Sequence, residues 1–153
     1  MPELPEVETV RRGLADLLPG QAVVRATVFD SPKSFPNSPT DVQQFLYGAH
    51  VTAVRRRAKV LMIDLDTRYS LVIHLKMTGQ LIFRGANSFA GGHPNDSLIG
   101  ELPDRSTRVQ IDFTDGSHLF FNDQRKFGWM KLMPTDEIEN LPFMQKVGPE
   151  PLD

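Results

Sequence analysis

Val7, Val10, Leu14, Leu17 and Leu18 recur three and four positions apart, which places them along one face of a helix. Pro5 suits the first turn of such a helix, where its missing N–H is not needed. Glu6 and Glu8 lie near the positive end of the helix dipole, with Arg11 and Arg12 further along. Pro19-Gly20 stops the helix, so it is expected over residues 5–18. Beyond that point the pattern changes to short runs rich in β-branched residues. They cover 22–29, 51–56, 60–65, 70–75, 79–84, 108–113, 117–121 and 128–133. Thr114-Asp115-Gly116 is a hairpin turn signal between two of them. Residues 40–46, ended by Gly48, suit a short helix. The expected fold is therefore mainly β, an N-terminal helix followed by a sandwich or barrel of about eight strands.

The stretch GANSFAGGHPNDSLIGELPDRS is too rich in Gly, Pro, Asn and Ser to predict regular structure. Loops of that length inside a domain are usually functional or mobile. Residues 1–133 are expected to form one domain, and 134–153 a short helix and the start of a linker marked by Pro142, Gly148, Pro149 and Pro151.

Composition narrows the function classes. The 153 residues suit one domain with a real core, and 40% hydrophobic with 24% charged content is ordinary for a soluble protein. No apolar run approaches the roughly 18 residues of a membrane span, and no secretory signal is visible. With no cysteine, the chain has no disulfide, thiol nucleophile or cysteine-zinc site, which fits a cytoplasmic location. His50, His74, His93 and His118 are scattered without metal-ligand spacing. A net charge of −2 means that any nucleic-acid contact must rest on local positive charge, or on contacts outside this chain.

Four stretches carry candidate chemistry. Pro2 becomes a terminal secondary amine if Met1 is removed, and small second residues favour that removal. An α-amine has a pKa of about 7.7–8.0, so roughly a quarter is neutral at about pH 7.4, against about one lysine in a thousand. Such an amine attacks an aldehyde-like carbon to give an iminium ion, an electron sink that favours elimination. Glu3 beside it could shuttle the proton. The alternative is a processed terminus without a role. In VRRRAKVLMIDL, Arg55, Arg56, Arg57 and Lys59 stand at a strand junction. They could bind phosphates, or serve as a solvated strand end that blocks aggregation. In IHLKMTGQL, alternation puts His74 and Lys76 on one face and Leu75 and Met77 on the other, so Met77 is either core or projects from the turn before Thr78-Gly79. In NDQRKFGWM, an arginine and an aromatic two positions apart could enter a base stack, or Phe127 and Trp129 could be buried in an ordinary hairpin.

Taken together and in order, PELPEVETVRRGL, RRRAKVLMI, HLKMTG, NDQRKFGW and VGPEPL closely resemble the bacterial formamidopyrimidine-DNA glycosylases, across essentially the whole chain. The resemblance implies a base-excision repair enzyme acting on damaged double-stranded DNA. Such an enzyme removes 8-oxoguanine and formamidopyrimidines, then cuts the abasic strand by β,δ-elimination. It implies a two-layered β-sandwich with flanking helices, followed by a helix–two-turn–helix region and a four-cysteine finger holding one structural zinc. Neither of those two parts occurs in these 153 residues, and no cofactor is expected within them. A monomer without membrane association is the expected state.

Carried over by motif, Pro2 resembles the Schiff-base nucleophile and Glu3 the acid/base acting on the deoxyribose. Glu6 resembles the acid that orders the site, and Lys59 a lysine that contacts phosphate and takes part in proton transfer. His74 resembles a phosphate-contacting histidine. Met77, Arg125 and Phe127 resemble the trio that fills the void left by an everted nucleotide. Two departures stand out. DRSTRV places Ser106 where the family usually has a phosphate-contacting histidine, and Gln124 stands where many members have proline. Glycosylases for oxidised pyrimidines share the terminal proline and glutamate but lack the Arg-Lys-Phe loop, which favours the oxidised-purine branch. A DNA-binding relative or fragment without catalysis is the other alternative. A tautomerase with a terminal proline does not fit a helix followed by many strands.

Overall fold

The computed structural model describes residues 4–142 and residue 144. The first helix, α1, spans Leu4–Ala15 and buries Val7, Val10 and Leu14, the stripe that the spacing predicts. It ends three residues before the predicted bound. Leu17 and Leu18 continue as a turn, because a residue preceding proline is pushed away from helical geometry.

Nine strands follow among the described residues: β1 Val23–Val28, β2 Val51–Arg57, β3 Val60–Leu65, β4 Tyr69–His74, β5 Gly79–Arg84, β6 Ser88–Gly92, β7 Thr107–Phe113, β8 His118–Asp123 and β9 Trp129–Pro134. A short helix, α2, spans Pro39–Phe45 between β1 and β2, with Ser38 accepting from the Asp41 N–H at its start. The strands form two sheets, ordered β1-β7-β8-β5-β6 and β2-β3-β4-β9. All pairings within them are antiparallel. The expected two-layered sandwich is therefore present, with one strand more than counted.

The extra strand, β6, lies inside the stretch expected to be irregular. Its glycines are indistinguishable in sequence from loop glycines, but they serve close packing. A Cβ on Gly91 would stand 2.8 Å from the Val10 side chain, so that position must be bare for α1 to lie against the strand.

Between the layers, Leu61, Ile63, Leu71, Ile73, Met130 and Leu132 of one sheet meet Leu81, Phe83, Val109, Ile111, Leu119 and Phe121 of the other. The alternate residues of β3 and β4 are buried too: Val60, Met62 and Val72 pack with Met133, Ile138 and Met144 in a smaller outer cluster. Ile138 belongs to a 3-10 turn over Thr135–Asn140, which is what the expected helix after residue 134 becomes. Burial on both faces explains why β3 reads as a continuous apolar run rather than an alternation. Of the stretch 134–153 expected to hold a short helix and the start of a linker, residues 143 and 145–153 lie outside the described residues. No helix of the described residues is long and apolar enough to cross a membrane.

The register fixes what the sandwich presents at one end. His74 pairs with Trp129 in one sheet, and Gly79 pairs with Asp123 in the other. Residues 75–78 and 124–128 therefore each pass from one sheet to the other, side by side.

Candidate nucleic-acid interface

These two crossing loops bring together residues that are nearly fifty positions apart in sequence. Met77 is 48% exposed and Phe127 61%, and both project from their loops. The Arg125 side chain reaches Met77, its Nη1 at 4.0 Å from the Met77 sulfur. This settles the alternatives for two stretches. Met77 is not core and Phe127 is not a buried hairpin residue. The alternation expected through residues 74–77 fails because β4 ends at His74 and Lys76 turns into the left-handed region at φ 54°. Leu75 is buried while Met77 faces out.

The loops are held by Asp123, a fully buried carboxylate that the sequence reading did not single out. Its Oδ1 accepts from the Arg125 N–H at 3.2 Å and from the Thr78 hydroxyl. Its Oδ2 accepts from the Gly128 N–H at 2.5 Å. One side chain at the end of β8 thus fixes the start and end of its own loop and reaches across to the other. Lys126, at φ 60°, makes the tight bend between them. Gly79 closes the second loop, since a Cβ there would lie 2.4 Å from the Leu75 carbonyl oxygen. The signal available in the sequence was an acid followed by a short polar loop ending in glycine, a pattern that favours side-chain capping of backbone N–H groups.

Lys59 and His74 lie at the same end. Val60 pairs with His74, so the β2–β3 turn that carries Lys59 is next to the start of the 75–78 loop. His74 Nδ1 accepts the Lys76 N–H at 3.0 Å, which places the imidazole proton on Nε2. Burial, then the positive charges of Lys76 and Lys59, push the His74 pKa down to about 4. The side chain is therefore a neutral donor at neutral pH, able to give a hydrogen bond to an anionic oxygen without carrying charge.

Helix α1 is tied to this end by a second acid. Glu8 accepts from Arg11 at 2.9 and 2.8 Å, from Arg12 at 2.9 Å and from Arg56 at 2.9 Å. The Arg56 side chain is only 6% exposed and also donates to the Ala58 carbonyl in the β2–β3 turn. The guanidinium of Arg11, then those of Arg56 and Arg12, lower the Glu8 pKa to about 2 against the cost of burial. The Glu8–Arg56 pair couples the helix to the turn that carries Lys59. The remaining arginines of the basic stretch are engaged as well, Arg55 with Asp64 at 2.5 Å and Arg57 with Glu139.

Glu6 is exposed in the first turn of α1 and lines a groove of about 350 Å³ with Thr9, Gly91, Gly92 and Leu98. Gly92 pairs with Gln80, so this groove opens towards the same end as the loops. Pro2 and Glu3 lie outside the described residues. Lys59, His74, Met77, Arg125 and Phe127 are thus gathered at one end, with Glu6 on the adjoining helix turn. Ser106 is buried, and its hydroxyl is committed to Asp104 at 2.6 Å. Among the described residues no group of three or more His, Asp or Glu side chains could hold a metal.

A rigid β-sandwich with cations and exposed apolar points at one end has the composition of a surface that enters a duplex. The sequence profile of the formamidopyrimidine-DNA glycosylase N-terminal domain matches residues 1–130, and the chain belongs to that family. It is 39% identical over 152 residues to the formamidopyrimidine-DNA glycosylase of Dinoroseobacter shibae, covering 99% of this chain and 52% of that protein. The Jannaschia enzyme of the same name is 42% identical over 154 residues, with the same two coverages. The chain therefore spans about half the length of the curated relatives it matches. A solved complex of wild-type Lactococcus lactis Fpg (MutM) with DNA containing N7-benzyl-Fapy-dG matches with TM-score 0.74 and 28% identity, covering 95% of this chain and 48% of that one. The complex of the Lactococcus protein with abasic-site DNA matches with TM-score 0.74 and 27% identity.

Proposed function

We propose that this chain is the nucleophile-bearing half of a DNA glycosylase and abasic-site lyase that acts on oxidised purines in duplex DNA. The observation that carries the reading is the ridge of Met77, Arg125 and Phe127 on two loops fastened by one buried carboxylate, beside His74, Lys59 and the first turn of α1. Large exposed apolar side chains flanking an arginine are what a protein uses to unstack a base step and occupy the space of an extruded nucleotide. Lys59 supplies charge to the phosphates around that nucleotide, and the neutral His74 supplies a directed Nε2–H donor.

With Met1 removed, the Pro2 nitrogen attacks C1′ of the extruded nucleotide and the bond to the base breaks. The base leaves as a neutral species once it has received a proton. Loss of the amine proton and opening of the sugar ring leave an iminium ion between Pro2 and C1′. Glu3 takes part in these proton transfers, and Glu6 orders the surrounding contacts. Removal of a proton from C2′ then expels the 3′ phosphate, and a second elimination expels the 5′ phosphate. Water releases the sugar remnant and restores the amine. The structural zinc implied by the resemblance belongs to a cysteine-bearing segment outside these residues. The proposed setting is the bacterial cytoplasm, at the nucleoid.

The test is borohydride trapping with the full-length protein on duplexes carrying 8-oxoguanine, an oxidised pyrimidine or an abasic site, after intact mass has shown that Met1 is absent. The expected result is a covalent protein–DNA adduct that Pro2→Gly abolishes, with the 8-oxoguanine duplex trapped faster than the pyrimidine one. Equal trapping by Pro2→Gly would sink the mechanism, and preference for the pyrimidine would overturn the substrate assignment.

A further inference from the structure

Met77 and Phe127 stand on different loops, and the bonds beneath them converge on Thr78. This residue follows Met77 directly, but it is 8% exposed where Met77 is 48% exposed. A hydroxyl has one proton to give and lone pairs to receive, and Thr78 uses both across the gap between the loops. Its proton goes to Asp123 Oδ1. Its oxygen receives the Arg125 N–H at 3.4 Å, a proton shared with the same carboxylate oxygen at 3.2 Å. The Thr78 hydroxyl, the Asp123 carboxylate and the Arg125 backbone thus close a ring of hydrogen bonds that spans both loops. At the other end of the 124–128 loop, Gly128 lies against the start of the 75–78 loop. A Cβ there would stand 2.8 Å from the His74 carbonyl oxygen and 2.9 Å from Asp123 Oδ2.

The acid that receives the Thr78 proton is itself held in place. Its N–H donates to the Ser106 carbonyl at 2.8 Å, and its carbonyl accepts from Arg108 Nε at 2.9 Å. Arg108 is 5% exposed and is the residue that the β7–β8 register skips, between Thr107 opposite Asn122 and Val109 opposite Phe121. A bulge re-aims the side chain it carries, and here it aims Arg108 at the end of β8. A shift that took Met77 away from Phe127 would therefore have to break both bonds of the Thr78 hydroxyl, because Asp123 does not follow. We propose that Thr78 is a positioning residue that makes Met77 and Phe127 act as one unit, so that both side chains enter the space of an extruded nucleotide together. The inference rests on the DNA-facing reading above and deepens it. A paired wedge needs room for two side chains at once, which a site with an absent or extruded base offers. An intact stack offers none, and binding there rests on phosphate contacts alone. The buried hydroxyl thus contributes to discrimination between damaged and undamaged duplex without meeting DNA.

The experiment uses the full-length protein with two duplexes, one containing a tetrahydrofuran abasic analogue and one undamaged, and reads both affinities by fluorescence anisotropy. The quantity followed is the preference for the first over the second. Met77→Ala and Phe127→Ala are each expected to lower it, and the double variant to lose at least about fivefold less than the product of the two single losses, as coupled residues do. In a Thr78→Val background, which keeps the shape and removes both bonds, the two losses are expected to multiply to within about twofold. Thr78→Val alone is expected to lower the preference about tenfold while the undamaged duplex binds within about twofold of the parent. Thr78→Ser keeps the hydroxyl and restores the preference. Losses that multiply in the parent, coupling that survives in Thr78→Val, or equal weakening on both duplexes would each overturn the proposal. So would single variants with unchanged preference, since the ridge would then not enter the duplex. Should Thr78→Val not fold by circular dichroism, Thr78→Ala takes its place, and the cycle in the parent decides whether the coupling exists. Trapping by the unmodified protein reports on the enzymatic reading separately: no adduct defeats that reading, whereas multiplying losses with an adduct present defeat only the coupling.

Discussion

Asp123→Asn changes one atom at the point where both crossing loops are fastened. The amide keeps the carboxylate's shape but accepts at only one of its two positions. With its oxygen facing Thr78 and Arg125, its NH₂ group meets the Gly128 N–H across a contact of 2.5 Å, two donors facing each other. The reverse orientation keeps Gly128 and sets the amide against the Arg125 N–H, while the Thr78 hydroxyl can turn to accept from it. Either way at least one charge-assisted bond in a fully buried site is replaced by an unsatisfied donor. Losing such a bond is worth about 1.5–3 kcal/mol and an orphaned buried donor about 1–3 kcal/mol, overlapping contributions that together give about 2–4 kcal/mol. Urea denaturation followed by fluorescence measures it, because Trp129 is the only tryptophan and follows the loop directly. A cycle with Thr78→Val isolates the link between the loops, with an expected coupling of about 0.5–3 kcal/mol. A loss under about 0.5 kcal/mol, or no coupling to Thr78, would refute the assignment of Asp123 as the fastener.

Glu8→Gln is expected to destabilise the chain by about 1–2 kcal/mol at neutral pH, the carboxylate shift discounted for solvent screening. Because the folded-state pKa is depressed, this stability is full above about 4.5 and lost as pH falls towards about 2. The two proteins should therefore converge in acid denaturation, and a pH-independent gap would contradict the argument. The His74 imidazole should stay neutral with its proton on Nε2 throughout pH 6–8 by nitrogen NMR, as a folded pKa of about 4 requires. Its contribution to stability is full above about 6.5 and fades towards about 4, and a midpoint above 6 would be inconsistent with the burial described. Phe127→Ala should leave the unfolding free energy in urea within about 0.5 kcal/mol of the parent, since the ring is largely exposed, while weakening duplex binding severalfold. A large stability loss without a binding loss would show that the ring is structural.

The helix was legible because burial on one face leaves a period in the sequence, and most strands because runs of β-branched and apolar residues mark them even where both faces are buried. α1 shows that period plainly, and only its end moved, where Pro19 acts on Leu18. β6 was not legible, since its glycines serve close packing against α1 and look the same as loop glycines. The site was half legible. Motif order named Lys59, His74, Met77, Arg125 and Phe127, but not what holds them. The bonds of Asp123 within its own loop follow a local capping pattern, but its link to Thr78 and that of Glu8 to Arg56 join segments distant in sequence, and no local pattern encodes such a contact. Arg108 was missed because a bulge, not an alternation, decides where its side chain points.

The two crossing loops have a mechanical consequence. A wedge driven into a stacked duplex is pushed back by it. At Met77 and Phe127 that load passes from each loop into one strand of each sheet, along β4 and β5 on one side and β8 and β9 on the other. Those strands are paired as β4 with β9 and β5 with β8, so the force is taken up in shear across many backbone hydrogen bonds at once rather than by peeling an edge. The domain is built as an anvil. Its tip can change residue by residue, but lengthening either loop would leave that loop hanging free of the other and remove the backing that the proposed wedge needs.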